Sequence, residues 1–316
     1  MITASAPGKC ILLGEHSVVY GYPAIAVALD IHSYCTIEKP VENSIQILLP
    51  DYEMNLNFPN ISHMQKHIPD MFRQFYEGLN AISKEYEIPI KNISFRINSD
   101  LWKGSGLGSS ASTSIAFLTA IAERYDLKIS LTELNKTAFF MEKFVHGTPS
   151  GIDNTICSLG GAIIYQNGVR EKLNIPKFPI LIAHSGSPHN TGQIVSSIKE
   201  RKDDLKNAFV EIEKITEKGI IALKKGDFSR LGELCNKNQE ILSRMGLSTP
   251  EIDEIICFSI DNGAFGSKLT GAGAGGSVIT LGTKDTLQEI QQILQKKGFL
   301  SKICNLENNG GRINSN

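Results

Sequence analysis

The chain has 316 residues, with 32 basic and 33 acidic side chains and a formal net charge of −1. Its length predicts two domains, at roughly 150 residues per domain. A composition of 41% hydrophobic and 21% charged residues is ordinary for a globular protein. The near-neutral charge excludes the basic excess that is typical of nucleic-acid and polyanion binders, so we expect no nucleic-acid partner.

One of the most apolar stretches of the sequence is too short to cross a membrane. Val18 to Leu29 is interrupted by Gly21 and Pro23, whereas a membrane span needs about 20 apolar residues. The first residues, MITASAPGK, have neither the basic region nor the apolar core of a secretion signal. We therefore expect a cytoplasmic protein with no membrane partner.

The cysteines and histidines do not form a metal-binding pattern. The histidine pair His63 and His67 has helical spacing, but Met64 stands where a zinc-protease motif needs glutamate. We interpret both histidines as surface or half-buried helix positions. The six cysteines lack a C-x-x-C pair and are expected to be free buried thiols: Cys10, Cys35, Cys157, Cys235, Cys257 and Cys304.

In chain order, the first hundred residues are mainly β-like and the next segments are helical. Three short segments have strand composition: Ser33 to Glu38, Ser44 to Leu49, and Asn92 to Asn98. Three longer segments have apolar residues at helical spacing: His63 to Tyr86, Ser109 to Arg124, and Leu131 to Val145. Ser109 and Ser110 are candidate N-caps of the second helix.

A strand after Gly160-Gly161 and a linker at Pro176 to Pro179 predict a domain boundary near residue 170, giving domains 1–170 and 171–316. The second half begins with a strand at Ile180 to Ala183 and is then mostly helical from Thr191 to Cys257. It ends as strand, glycine loop, strand, helix and strand: Ala264 to Leu269, Gly271 to Gly276, Ser277 to Leu281, Leu287 to Lys297, and Ser301 to Leu306. The tail from Asn308 is predicted to fray. Mixed sheets with packed helices predict an α+β fold class for both halves.

The segment Gly104 to Ser110, GSGLGSS, has the composition of a phosphate-binding loop. Glycines let backbone N–H groups approach a polyanion, and the helix that follows adds unpaired donors and a favourable dipole. Its serine hydroxyls can cap the helix or contact a phosphate or its metal. No Lys-Ser/Thr pair closes the segment, so it is not a Walker A loop. A glycine turn before a capped helix is the alternative interpretation.

The segment Gly271 to Val278 matches the pattern G-x-G-x-x-G-x-V. A protein kinase needs its catalytic sequences downstream of that loop, and only 38 residues follow Val278. A dinucleotide-binding loop should open a helix, whereas the strand-like residues SVITL follow here. The segment is therefore part of another kind of site or a tight turn.

A third glycine-rich segment near the N-terminus carries, together with the other two, a family resemblance. APGKCILLGEHSVVYGYPA places Lys9, Glu15 and His16 between glycines. PGK-x-ILLGEH-x-VVYG, GLGSSAS and KLTGAGAGG resemble, in order and spacing, the three motifs of the GHMP kinases. This superfamily includes galactokinases, homoserine kinases, mevalonate kinases and phosphomevalonate kinases. The resemblance covers residues 6 to 281, nearly the whole chain.

Within the superfamily the sequence is most similar to the mevalonate kinases. Galactokinases carry Asp where Val18 stands, and phosphomevalonate kinases tend to carry Tyr where His16 stands. The segment Glu142 to Asn154 is similar to mevalonate kinases, whereas homoserine kinases lack an acid in the place of Asp153. The resemblance implies a two-domain fold, with a ribosomal protein S5 domain 2-like N-terminal domain and a ferredoxin-like C-terminal domain. The site is expected in the cleft between them.

The implied activity is ATP-dependent phosphorylation of the C5 hydroxyl of mevalonate, in isoprenoid synthesis. By the resemblance, Asp153 is the base that takes the hydroxyl proton. Lys9 is expected to keep Asp153 ionised and to stabilise charge on the transferring group. For Asp153, the alternative is an N-cap of a short helix after Gly151. The substrate end is matched by three residues: His16, Glu15 and Thr191. A histidine there can donate to the carboxylate of mevalonate.

The resemblance also implies ATP and magnesium sites. Ser110 and Glu142 match the ligands of Mg²⁺, with phosphate oxygens and water completing an octahedron. Ser99 matches a position near the nucleotide. The phosphate cradle comprises Gly104, Ser105, Gly106, Leu107, Gly108, Ser109 and Ser110, and the cleft lining comprises Gly271, Ala272 and Gly273. Members of the family often form dimers, so a homodimer is an expectation that rests on the resemblance alone.

Three positions depart from the family pattern: Trp102, Ala274 and Ser17. Trp102 replaces the usual proline before the phosphate loop, which loosens the loop entry or offers an aromatic wall near the base. Lys103 beside it is within reach of a phosphate, although a solvated lysine is the simpler interpretation. Ala274 replaces a glycine and adds a Cβ that narrows the cleft, and Ser17 stands where alanine is common. None of these changes removes a chemical group.

Two alternative functions stay open at this point. One is a kinase of the same superfamily with another acceptor: phosphomevalonate, the 3-hydroxyl of mevalonate, or a sugar. The other is a catalytically silent ATP-binding homologue. The presence of Lys9, Glu142 and Asp153 together argues against the silent homologue.

Overall fold

The computed structural model of the chain describes residues 1–39, 42–146, 150–187 and 191–314. The first part of the chain forms β1 (Ile2–Leu13), β2 (Ala24–Ile37), β3 (Ile45–Leu49), β4 (Met54–Phe58), α1 (Ile61–His67), α2 (Arg73–Glu85), β5 (Ile93–Ser99), α3 (Ser109–Arg124), α4 (Leu131–His146), α5 (Ile152–Leu159), β6 (Ala162–Gln166) and β7 (Val169–Leu173). The second part forms β8 (Pro179–His184), α6 (Thr191–Glu200), α7 (Lys206–Lys225), α8 (Phe228–Arg244), α9 (Pro250–Asp261), β9 (Gly266–Thr270), β10 (Ser277–Leu281), α10 (Lys284–Lys296), β11 (Leu300–Asn305) and β12 (Arg312–Ile313).

The first sheet is mixed and is covered by helices α2 to α5. Its strands lie in the order β12-β1-β2-β5-β3-β4, and β6 pairs with β2 and β7. β1 and β2 pair antiparallel along most of their length, and β1 is fully buried from Ala4 onward. The pairing of β1 with β2 shifts register between Pro7 and Gly8, immediately before Lys9. Such a bulge redirects the following side chain, which matters for the site below.

The second sheet has the ferredoxin-like order. All its pairings are antiparallel, and the strands lie in the order β11-β8-β10-β9. Numbered along the chain from β8, this order is fourth-first-third-second, with four helices (α6 to α9) before β9 and one (α10) before β11. The elements follow the β-α-β-β-α-β pattern. The predicted α+β class and the ferredoxin-like second half are confirmed.

The two sheets share one hydrophobic cluster. Leu12 and Val27 from the first sheet pack together with Ile180, Ile182 and Ile279 from the second, and all five are buried. β7 ends at Leu173 and β8 begins at Pro179. The division near residue 170 stays a prediction, which the membership of the two sheets supports.

The predicted helix from His63 to Tyr86 is wrong as a single element. It divides into α1 and α2, with a 3-10 turn at Asp70–Phe72 between them. Pro69 explains the break, because proline has no backbone N–H to donate and its ring clashes with the preceding turn of a helix. Asn60 caps α1 by accepting a hydrogen bond from the His63 N–H. His63 and His67 are exposed, in agreement with the surface interpretation.

The C-terminal tail was predicted to fray, and this is wrong over its described part. Arg312–Ile313 pairs antiparallel with Ala4 and Ser5 of β1, and Asn314 N–H donates to the Thr3 carbonyl oxygen at 2.8 Å. Arg312 also lies 3.1 Å from the Glu307 carboxylate. The glycine-rich composition of the tail concealed the strand, because it forms by pairing with β1, which is distant in the sequence.

Four further elements were not predicted from the sequence: β1 as a strand, the first half of β2, β4 and β7. The helix Ser109 to Arg124 is confirmed at both ends. All six cysteines are free; five are buried and Cys257 is exposed. Among the described helices, none combines the length and apolarity that a bilayer span requires.

We expect removal of residues 307–316 to destabilise the protein. The truncation removes β12 and several hydrogen bonds from Glu307 and Asn314 to the first sheet, at about 1 kcal/mol each. Urea unfolding should therefore show a loss of about 2–4 kcal/mol. A control truncation of residues 315–316 should leave the unfolding curve unchanged. Equal stability of both truncations would show that β12 contributes nothing.

Candidate active site

The site is centred on an ion pair between Lys9 and Asp153. The Lys9 Nζ lies 3.0 Å from Asp153 Oδ1; the Lys9 side chain is 3% exposed and that of Asp153 is 34% exposed. Burial is the largest single effect and lowers the pKa of Lys9, but the charge and the hydrogen bond of Asp153, with smaller contributions from Cys157 and Cys10, together outweigh it, so the pKa of Lys9 is raised. The lysine therefore stays charged, and the carboxylate that it faces retains an open side.

Asp153 lies in the first turn of α5, where the helix dipole favours a carboxylate. The cap of α5 is Gly151, which has φ of 85°. The alternative interpretation of Asp153 as an N-cap is therefore wrong, because glycine adopts the left-handed conformation that this cap requires.

A second pair, Ser110 and Glu142, lies beside the first. Ser110 Oγ donates to Glu142 Oε1 at 2.6 Å, which joins the start of α3 to the inner face of α4. Burial raises the pKa of Glu142 to about 7, and the Ser110 hydrogen bond partly opposes this rise. The negative charge of Asp153 also raises the pKa of Glu142, so the two carboxylates lie close enough to interact electrostatically.

The chemistry of these donors fits a hard divalent cation. A hydroxyl and a buried carboxylate are oxygen ligands of the type that Mg²⁺ prefers. Within the described residues no cluster of three His, Cys, Asp or Glu side chains could hold a metal. Ser110 and Glu142 could therefore supply such a cation with part of its oxygen ligands, which phosphate oxygens and water would complete.

The predicted phosphate loop, Gly104 to Ser110, packs directly against Lys9. Gly104, Gly106 and Gly108 have φ of 65°, 74° and 74°, conformations that glycine adopts without strain. Gly108 is the N-cap of α3, which corrects the expectation that Ser109 or Ser110 caps it. A Cβ added to Gly108 would lie 2.7 Å from Lys9 Cγ. The absence of a side chain there lets the loop and the lysine meet.

The loop also contains a buried polar group, the Ser105 hydroxyl, that lacks a hydrogen-bond partner among the described residues. Leaving a buried hydroxyl unpaired costs about 1–3 kcal/mol. An unpaired hydroxyl beside three glycines with positive φ is consistent with a loop that binds a polar ligand.

The third glycine-rich loop, Gly271 to Gly276, faces the phosphate loop. A Cβ on Gly271 would lie 3.3 Å from the Gly106 carbonyl oxygen, so the two backbones approach closely. Ala274 has φ of 51°, and its N–H donates to the Leu247 carbonyl oxygen at 2.7 Å. The added methyl group is thus accommodated at the cost of a left-handed alanine.

His16 is held by this third loop. Its Nε2 lies 2.9 Å from the Ala272 carbonyl oxygen, and burial lowers the pKa of His16 to about 4. A carbonyl oxygen can only accept, so Nε2 carries the proton of a neutral ring and Nδ1 is left as an acceptor. The expectation that His16 donates to a substrate carboxylate is therefore wrong for this geometry.

Glu15 does not face the cleft. Its carboxylate is fully buried, forms an ion pair with Lys268 of β9, and accepts a hydrogen bond from Asn238 Nδ2 at 3.3 Å. Burial raises the pKa of Glu15, and the charge of Lys268 opposes the rise. The predicted contact of Glu15 with substrate does not agree with these bonds; Glu15 connects the N-terminal motif to the second sheet.

Three residues singled out from the sequence remain: Ser99, Thr191 and Lys103. Ser99, at the end of β5, shares a 2.8 Å hydrogen bond with the Ser33 hydroxyl. Thr191 begins α6, but its side chain lies outside the described part of the chain, as do the preceding residues 188–190. Lys103 is exposed; its Nζ contacts the Asp51 carbonyl oxygen and the Tyr52 ring, so it is occupied on the surface.

Three buried partners were missed from the sequence: Lys268, Asn238 and Thr270. Thr270 exchanges hydrogen bonds with the backbone N–H and carbonyl of Ile11, at 2.9 and 3.0 Å. Lys268 and Glu15 are 253 positions apart. Local patterns contain no signal for such pairing. The one hint was that both residues adjoin glycine motifs.

Comparisons with known proteins agree with this geometry. The GHMP kinases N terminal domain matches residues 73–161, and the GHMP kinases C terminal domain matches residues 220–299. A mevalonate kinase of Pyrococcus abyssi is 31% identical, over 99% of this chain and 98% of that protein. The chain belongs to the mevalonate kinases of the GHMP kinase family.

Solved structures of this family have the same fold. Methanococcus jannaschii mevalonate kinase has a TM-score of 0.86 and 29% identity, over 96% of this chain and 98% of that one. The mevalonate kinase of L. major, solved in complex with R-mevalonate, has a TM-score of 0.80 and 26% identity, over 97% and 96% of the two chains. The predicted family and its two-domain GHMP kinase fold are confirmed.

We expect Lys268→Met to destabilise the protein strongly. The change leaves the Glu15 carboxylate buried without its cation, which costs about 3–5 kcal/mol. The matched control is Lys297→Met, which removes an exposed pair with Glu254 and should cost less than about 1 kcal/mol. Urea unfolding of both variants measures the difference. Similar losses for both would mean that the buried pair contributes no more than a surface pair.

Proposed function

We propose that the protein transfers the γ-phosphate of ATP to the C5 hydroxyl of mevalonate. The observation that carries this proposal is the 3.0 Å pair of Lys9 and Asp153 at the edge of the glycine loop that precedes α3. Membership of the mevalonate kinases and similarity to a relative solved with R-mevalonate support the choice of acceptor.

Asp153 has the role of proton acceptor. A primary alcohol is a poor nucleophile at neutral pH, so a base within hydrogen-bond reach must take its proton. The proton passes to a carboxylate oxygen of Asp153 as the hydroxyl oxygen bonds to the γ-phosphorus. The bond from that phosphorus to the bridging oxygen of ADP breaks, and its electron pair leaves with ADP. Lys9 stabilises the negative charge that develops on the phosphoryl oxygens.

Ser110 and Glu142 would hold the magnesium ion that accompanies ATP. Bound Mg²⁺ neutralises charge on the phosphate oxygens. Glu142 is 3% exposed, and a cation beside it offsets the cost of burying its charge. The Ser110 hydroxyl, which donates to Glu142, offers its lone pairs to the metal or a phosphate.

The glycine loops would bind the triphosphate. Residues 104–110 supply backbone N–H groups at the N-terminus of α3, a helix of 16 residues, where unpaired donors and the helix dipole favour anions. The buried hydroxyl of Ser105 supplies a further donor. Gly271, Ala272 and Gly273 close the opposite side, and Ser99 lies farther along the nucleotide.

At the acceptor end, His16 would act as a hydrogen-bond acceptor. Its Nε2 is occupied by Ala272, so its Nδ1 can accept a hydrogen bond from a hydroxyl of mevalonate. Thr191 stays a proposed residue of this end. A homodimer and a cytoplasmic location also stay predictions.

The acceptor is tested by NMR of the product after incubation with MgATP and carbon-13-labelled mevalonate. We expect phosphorus coupling at C5. Coupling at C3 would contradict the acceptor atom while retaining a mevalonate kinase. Absence of any product, with MgATP still bound, would contradict the acceptor itself and direct the test to phosphomevalonate and then sugars.

We expect Asp153→Asn to lower kcat by roughly 10²–10⁴-fold, the usual contribution of general acid–base catalysis. Binding of MgATP should be nearly intact, because the amide has the same shape as the carboxyl group. Steady-state kinetics and equilibrium dialysis measure the two effects. Asp261→Asn, an exposed position on α9, is the control and should leave kcat unchanged. An unchanged kcat in Asp153→Asn would mean that another group takes the proton.

We expect Glu142→Gln to raise the Mg²⁺ concentration needed for half-maximal activity by about tenfold or more, since an amide oxygen is a weaker ligand of hard cations than a carboxylate. Titration of activity with Mg²⁺ at fixed ATP measures this. Glu133→Gln on the same helix, exposed at the surface, is the control. The same Mg²⁺ dependence in both variants would remove Glu142 from the metal site.

A further inference from the structure

Trp102 lies at the entry of the phosphate loop and contacts the second sheet. Its indole ring stacks on the His184 ring at the end of β8, with ring centroids 6.1 Å apart and an interplanar angle of 10°. Trp102 belongs to the chain segment between β5 and α3, whereas His184 belongs to the second sheet. The stack therefore connects the two halves of the molecule beside the glycine loops.

Each partner of the stack is bonded to a different glycine loop. The Ser105 N–H of the phosphate loop donates to the Trp102 carbonyl oxygen at 3.3 Å. The His184 Nδ1 lies 2.8 Å from the Gly276 carbonyl oxygen, and it must be the donor because a carbonyl only accepts. The rings thus complete a chain of contacts from Ser105 to Gly276, across the space where the two loops face each other.

Neither the proton-transfer pair nor the metal ligands use this contact. A cleft of about 380 Å³ borders Trp102 on the side of α10 and β11, lined in part by Phe299 and Lys302. The ring is open on that side, while elsewhere it packs against the hydrophobic cluster shared by the two sheets. The parallel stack on His184 is its ring-to-ring contact with the second sheet.

We propose that Trp102 is a positioning residue that acts through His184 to set the spacing of the phosphate loop and the third glycine loop. The functional consequence is tighter binding of MgATP, because both loops are held at the separation that the triphosphate needs before it arrives. This inference rests on the proposed function only in naming MgATP as the ligand of the loops.

The test measures the Kd of MgATP without acceptor, together with kcat and both KM values. We expect Trp102→Ala to raise the Kd and the KM of MgATP about three- to tenfold, the range of an aromatic pair. The KM of mevalonate should stay within twofold, and kcat should change less than the KM of MgATP. Trp102→Phe should restore most of the affinity, since phenylalanine can stack on the same imidazole.

His184→Gln tests the other ring. Its amide can still donate to the Gly276 carbonyl oxygen, so the variant removes the stack while keeping a donor at that place. We expect the same rise in Kd as in Trp102→Ala, and no further rise in the double variant, because both changes remove one interaction. Phe258→Ala is the matched control and should leave the Kd unchanged. It removes a half-buried ring of α9 that contacts the Lys297 ammonium.

The outcomes separate this inference from the proposed function. Wild-type protein that binds no MgATP would contradict the proposed function itself. Wild-type protein that binds MgATP, with equal affinity in Trp102→Ala and His184→Gln, would overturn the positioning role alone. A lower melting temperature with an unchanged Kd, or additive losses in the double variant, would show a merely structural contact and would also overturn it.

Discussion

A charged lysine buried beside a carboxylate is the constraint on which the rest of the structure depends. A buried ammonium is stable only when it is paired, so Lys9 requires Asp153 at hydrogen-bond distance. The bulge before Lys9 directs its side chain, and the left-handed Gly151 begins the helix that carries Asp153. The glycine at position 108 then lets the phosphate loop pack on the lysine. The same ion pair thus connects β1, α5 and the loop before α3.

Buried polar contacts join the two halves of the molecule at the site. Glu15 and Lys268 form a buried pair, Thr270 bonds to the backbone of Ile11, and His16 bonds to the Ala272 carbonyl oxygen. These bonds hold the N-terminal motif against the third glycine loop. The charged Lys9, the helix N-terminus and a metal held by Ser110 and Glu142 would together offset the charge of a triphosphate.

Much of the site could be predicted because its motifs are local. Glycines with positive φ, the helix after them and the spacing of Glu142 and Asp153 are all visible within short segments. Contacts between distant segments could not be predicted: the Glu15–Lys268 pair, the tail strand on β1 and the hydrogen bond that fixes the tautomer of His16. The apolar spacing from His63 to Tyr86 continues across Pro69, so the spacing alone does not show that the helix ends there. Burial changed the roles assigned to Glu15 and His16, and burial is a property of the assembled fold.

The most direct test of the central claim is the turnover of Lys9→Met, Asp153→Asn and the double variant at saturating MgATP and mevalonate. If the two residues act as one charge pair in proton transfer, the double variant should be about as slow as the slower single variant. Losses that multiply in the double variant would contradict the account, because they would show that Lys9 and Asp153 contribute independently.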